Sequence, residues 1–104
     1  MSCVVLGRGT TPLQRFICDI DLSPAVEVYV TYKQGGKVVI EKSIDDITFG
    51  DMEISFKLTQ EETLKLSTKL YVMVQIRALF PNGEAVKSNE MSASVSDVLK
   101  EGVI

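Results

Sequence analysis

Two pairs of aspartates, Asp19 with Asp21 and Asp45 with Asp46, are the first residues whose spacing could do chemistry. Carboxylates so close together can hold a cation or share a proton as acid and base. Calcium wants about six or more oxygens, and neither pair continues into an EF-hand register. Asp19 and Asp21 are expected on one solvated strand face, and Asp45-Asp46 in a turn, whose geometry aspartate tolerates. Among nucleophiles, Cys18 falls on an inward face, where a thiol stays protonated and inert. The serines from Ser88 to Ser96 could pair with Lys87 or Lys100, but nothing marks out such a pair. Gly7-Arg8-Gly9 lacks the lysine and following helix of a phosphate loop and reads instead as an N-terminal edge strand. Arg8 with Thr10-Thr11-Pro12 could serve that edge for recognition.

Histidine is absent. The commonest general base and metal ligand is therefore missing, and two cysteines alone fall short of any zinc set. The expectation is a protein that is not an enzyme, with no catalytic residue, no cofactor and no metal. An enzyme would need ionisable groups converging in a pocket.

The chain has 104 residues, 45% hydrophobic and 24% charged, which suits one domain over 1–104 with a single core. Its net charge of −3 opposes phosphate binding, so no nucleic-acid partner is expected. No apolar run approaches the ~20 residues of a spanning helix, and no charged n-region opens the chain. The expectation is synthesis in the cytoplasm without membrane attachment. In that reducing setting Cys3 and Cys18 read as two separate buried small side chains rather than a disulfide.

The elements that would position these residues are strands. In "DMEISFKL", Met52, Ile54, Phe56 and Leu58 alternate with polar residues, the mark of a half-buried antiparallel strand. Ile47 and Phe49 lie on the opposite parity, and a bulge at Gly50-Asp51 would bring both sets to one face. Val26, Val28, Val30 and Tyr32 alternate likewise, and Gly35-Gly36 predicts a tight hairpin into "KVVIEKS". Leu70, Val72, Val74, Ile76, Ala78 and Phe80 form one face of the longest strand. Pro81-Asn82-Gly83 turns it into a partner carrying Met91, Ala93 and Val95. Near the start, Phe16, Cys18, Ile20 and Leu22 point inward. These runs predict an all-β antiparallel sandwich of about seven strands.

"LTQEETLKL" interrupts the pattern. Thr59 and Glu62 have capping-box spacing, and Glu61 and Glu62 suit the positive end of a helix dipole. About two turns fit before the strand pattern resumes, so one short corner helix is expected.

The corner "LTQEETLKLSTKLYV" resembles the turn before the penultimate strand of immunoglobulin-like domains. An antibody-type domain would place a cysteine on that strand and a tryptophan in the core. Val72, Val74 and Ile76 stand there instead, so the resemblance implies an immunoglobulin-like sandwich and not an immunoglobulin. The whole chain resembles small uncharacterised β-proteins of temperate phages and prophages of Gram-positive gut bacteria. That likeness runs through "GRGTTPLQRF", "ITFGDMEISFKLTQEETL" and "VQIRALFPNGEAVKSNEMSASVSDVLKEGVI". The "RGTTP" opening and "LTQEET" corner also look like N-terminal sandwich modules of phage baseplate proteins. The resemblance implies a virion-associated or prophage role and carries over no site residues.

Apolar residues on the outward parity remain. Tyr71, Met73 and Leu79 oppose the core set of the long strand, and Tyr29 does so on its own strand. Clustered, they would mark a contact surface. With Arg8 they form the predicted interaction surface, its partner a second copy or another phage protein, giving a possible homo-oligomer. The C-terminal Val98, Leu99, Val103 and Ile104 could cover a sheet edge or pack onto a partner. The leading expectation is a non-catalytic structural or protein-interaction module. The alternative is a carbohydrate- or surface-binding module, which tyrosines Tyr29, Tyr32 and Tyr71 aligned on one face would favour and a scattered set would oppose.

Overall fold

In a computed structural model that describes residues 1–5 and 13–93, the chain folds into two facing antiparallel sheets. The first orders its strands as β1 (Cys3–Val5), β2 (Leu13–Cys18), β6 (Glu53–Lys57) and β5 (Thr48–Gly50). The second orders β4 (Lys37–Ser43), β3 (Glu27–Gln34), β7 (Val72–Leu79) and β8 (Ala85–Lys87), with β9 (Met91–Ala93) on the other half of β7. The all-β sandwich is thus what the alternation dictates. Nine strands are described where about seven were expected. The excess comes from very short edge strands and from the final strand running in two pieces.

Phe16, Ile54 and Phe56 from the first sheet and Val28, Val30, Tyr32, Val72, Val74 and Ile76 from the second fill the space between them. Tyr32 stands edge-on to Phe56 across that space, with ring centroids 6.3 Å apart. Its hydroxyl donates to Gln14 Oε1 on β2 at 3.0 Å, which satisfies a phenol that burial would otherwise penalise. Burial, and next the Glu62 charge, push that phenol well above its ordinary pKa. Val26 and Leu70, read as inward, are exposed because both lie just outside their strands.

The Gly35-Gly36 hairpin is present, both glycines at positive φ (57° and 78°), the requirement of a primed turn. The bulge expected at Gly50-Asp51 is not. Gly50 pairs with Glu53, so Asp51-Met52 is a two-residue hairpin turn, with Met52 itself at φ 58°. Phe49 then sits directly opposite Ile54. A turn solves the parity problem without any extra residue in the ladder.

The corner helix shrinks to one turn, α1 (Gln60–Thr63), rather than two. Its capping box is complete: Glu62 N donates to Thr59 Oγ1 at 3.1 Å, and Thr59 N donates to Glu62 Oε1 at 2.9 Å. Buried Leu66 anchors the return. The chain from Ser67 to Leu70 is held by Gln34, whose amide donates to Ser67 O and Leu70 O while its oxygen accepts from Ser67 N. Between the helix and that anchor the chain only turns, with Lys65 N donating to Glu62 O and Leu66 N to Thr63 O.

Candidate functional site

The outward face of the five-stranded sheet carries the most distinctive constellation. Side chains alternate along β3, β7 and β8, so register decides which of them meet. Glu27, Leu79 and Ala85 share one row across the three strands, and Tyr29, Arg77 and Lys87 share the next. Together they floor and wall a groove of about 440 Å³. The Arg77 guanidinium lies 5.5 Å from the centre of the Tyr29 ring, within cation–π range. Arg77 also donates to Glu41 Oε2 at 3.2 Å, and Thr31 Oγ1 donates to that same oxygen at 2.9 Å. Arg77 is therefore held over Tyr29 by a neighbour from β4. Lys87, directly opposite Arg77, places like charges side by side, an unfavourable cross-strand pairing. Neither Glu27 nor Lys87 has an ion-pair partner among the described residues.

The residues expected to form an interaction surface divide. Tyr29 and Leu79 line the groove. Met73 shares their outward parity but lies at the far end of β7, opposite Lys33, with the Thr31–Gln75 pair between. Tyr71 precedes the strand and is 70% exposed. The expected strip is thus two apolar patches separated by a polar row. Arg8 and the C-terminal Val98, Leu99, Val103 and Ile104 lie outside the described residues, as do Ser94, Ser96 and Lys100. Tyr32 is in the core, so the tyrosines are scattered and form no shared platform.

The other candidates take structural positions. Asp19 and Asp21 follow the end of β2 instead of sharing a strand face. Asp19 Oδ1 accepts from Ser2 N, and Asp21 accepts from both the amide and the hydroxyl of Ser23. Asp45 and Asp46 belong to a 3₁₀ turn over Ile44–Asp46, where Asp46 accepts from Ser43 N at 3.1 Å. Ser88 is buried in the break between β8 and β9; its hydroxyl accepts from Ile76 N and donates to Asn89 O. No group of three or more acidic or cysteine side chains suited to a metal occurs among the described residues.

Cys3 and Cys18 form a disulfide, which corrects the expectation of two separate thiols. They are directly opposed on β1 and β2 with Cα atoms 4.1 Å apart, the close spacing of a non-hydrogen-bonded antiparallel pair. A compartment sets only the surroundings of a thiol, whereas strand register places these two side by side. Beside them, Cys3 N donates to Asn89 Oδ1 at 2.9 Å, so the break after β8 reaches over to the first sheet.

A second charged contact escaped the sequence reading. Lys42, on β4, points inward and is buried, and its Nζ lies 2.8 Å from Glu62 Oε1. An inward-pointing lysine on an edge strand resists pairing with another chain. Only "IEKS" hinted at it, as a lysine at the parity of Ile40.

No protein-family model matches the chain, and no curated protein or solved structure matches it either.

Proposed function

We propose that the protein is a non-catalytic, self-associating interaction module of a temperate phage or prophage, docking through the outward face of its five-stranded sheet. The observation that carries this reading is the groove over Tyr29, Arg77 and Leu79, which combines an aromatic, a pinned guanidinium and an aliphatic side chain. Tyrosine and arginine beside an apolar side chain are the types that dominate protein–protein contacts. The phage assignment rests on the sequence resemblance in the three blocks described above.

An immunoglobulin-like sandwich is part of the same proposal. The order β1-β2-β6-β5 facing β4-β3-β7-β8 corresponds to an ABED sheet facing a CFG sheet with one added edge strand. Tyr71 departs from that pattern, being exposed where such domains fold a tyrosine under the corner. The Cys3–Cys18 bond supports a working life outside a reducing cytosol, as in a released particle after cytoplasmic synthesis.

Light scattering over a dilution series tests the reading. A defined oligomer that Leu79→Asp converts to monomer is the expected result. A monomer at every concentration removes self-association and turns the search to a foreign partner, by pull-down from the host.

A further inference from the structure

Several surfaces of this fold could meet another molecule, and they differ in how far their own chemistry opposes it. One edge of the four-stranded sheet, β5, is three residues long, too short to template a strand. The longer edge, β4, turns Lys42 inward and carries a register shift near Tyr32, two devices that oppose strand addition. On the outward face of the four-stranded sheet Arg15 donates to both carboxylate oxygens of Glu53 at 3.1 Å, which leaves that acid already paired.

The groove face differs: Glu27 and Lys87 sit at its opposite corners, without ion-pair partners among the described residues, with Leu79 and Arg77 of β7 between them. One acid and one base, diagonal across Leu79 and the Glu41-paired Arg77, make a self-complementary surface. A two-fold axis lying in such a surface between Leu79 and Arg77 carries each corner onto the other. An isologous contact needs that property, because the same patch must serve both partners.

We propose that the partner in this groove is a second copy of the chain, packed face to face so that Glu27 of each copy meets Lys87 of the other. This rests on the self-association reading and names its contacts. The arrangement also places an acid beside Lys87, whose cross-strand neighbour Arg77 is already paired with Glu41. Leu79 meets its own counterpart near the axis, and the Tyr29 ring supplies the aromatic anchor beside it. Because the ion pairs lie at the rim, they set register and partner choice more than total affinity.

Charge reversal tests this. Glu27→Lys and Lys87→Glu each place like charges face to face, and each is expected to weaken association at least about tenfold in light scattering. Combining them in one chain re-creates complementarity, so E27K/K87E is expected to regain the wild-type mass profile. Both side chains are exposed and without described partners, so folding is not at stake; circular dichroism of each variant verifies it. Raised salt should weaken the wild-type oligomer and strengthen that of each single variant. An oligomer indifferent to both single reversals overturns the proposed contact while leaving self-association standing. Loss in the single variants without recovery in the double also overturns it. A wild-type chain that is monomeric throughout removes both.

Discussion

Lys42 Nζ lies 2.8 Å and 3.0 Å from the two carboxylate oxygens of Glu62, joining the edge strand β4 to the corner between β6 and β7. The same carboxylate accepts from Thr59 N and so completes the helix cap. One side chain thus caps the single turn of α1 and neutralises a buried ammonium. The helical turn lasts only four residues, yet the corner is fixed because its first turn is bonded to the neighbouring sheet.

Replacing Glu62 with Gln leaves a cap hydrogen bond possible but strands Lys42 without its counter-charge. Removing one partner of a fully buried pair costs about 3–5 kcal/mol; Glu62 keeps some exposure, so a loss of about 2 kcal/mol is expected. Lys42→Met should cost less, since an apolar side chain suits that inward position. Urea unfolding of both variants measures the order, and a milder effect from the Glu62 change would refute this account.

Acid should act through the same pair. Burial raises the Glu62 carboxyl, but hydrogen bonds from Lys42 and Thr59 and the Lys42 charge outweigh it, so its folded pKa lies below the ordinary value. Such a group stabilises the fold above its unfolded pKa, about 4.3, and that stability is lost as pH falls through the folded value. Tyr32 works in the opposite sense: with its pKa raised by burial, its share is intact below about 10 and lost as pH rises beyond. Unfolding free energy measured across pH should show both flanks. The acid flank should flatten in Glu62→Gln and the alkaline flank in Tyr32→Phe.

How much of this was legible follows from what each signal depends on. The Thr59–Glu62 box, the Gly35-Gly36 turn and the alternation of β6 and β7 are local, set by residues within a few positions, and the sequence reading found all three. The Lys42–Glu62 bridge, the Cys3–Cys18 bond and the Arg77–Tyr29 stack depend on which strands become neighbours, and no local pattern encodes that. Gly50-Asp51 shows the boundary between the two. A parity change fits a bulge or a hairpin equally well, and the glycine drew attention from Met52, which takes the positive φ. The outward residues of β7 were read for their apolar members alone. The intervening Gln75 and Arg77 were equally visible, and they divide the strip and shape the groove.

The disulfide closes a segment with a sequence separation of 15, for which chain-entropy arguments give about 3 kcal/mol. Thermal unfolding with and without reductant should therefore differ by about 12–24 °C, with the reduced protein melting lower. Thiol titration of the unreduced native protein is expected to find no free cysteine; two reactive thiols would contradict the pairing.

Ser88→Ala removes the hydroxyl that accepts from the buried Ile76 amide and donates to Asn89 O. An unsatisfied buried donor costs about 1–3 kcal/mol. Because Asn89 holds the amide of Cys3, that amide should also exchange with deuterium faster in the variant. Unchanged exchange at Cys3 would mean that the break between β8 and β9 does not support the first strand.

The bond between Cys3 and Cys18 also decides how the molecule bears load. A pull on the chain ahead of Cys3 passes through the sulfur bridge straight to Cys18 and on to Asp19. The hydrogen bonds of β1 and β2 are bypassed, and the segment between the two cysteines cannot be drawn out while the bridge lasts. Under tension the first sheet is therefore not peeled from its outer strand, and the force arrives at the crossover leading to β3.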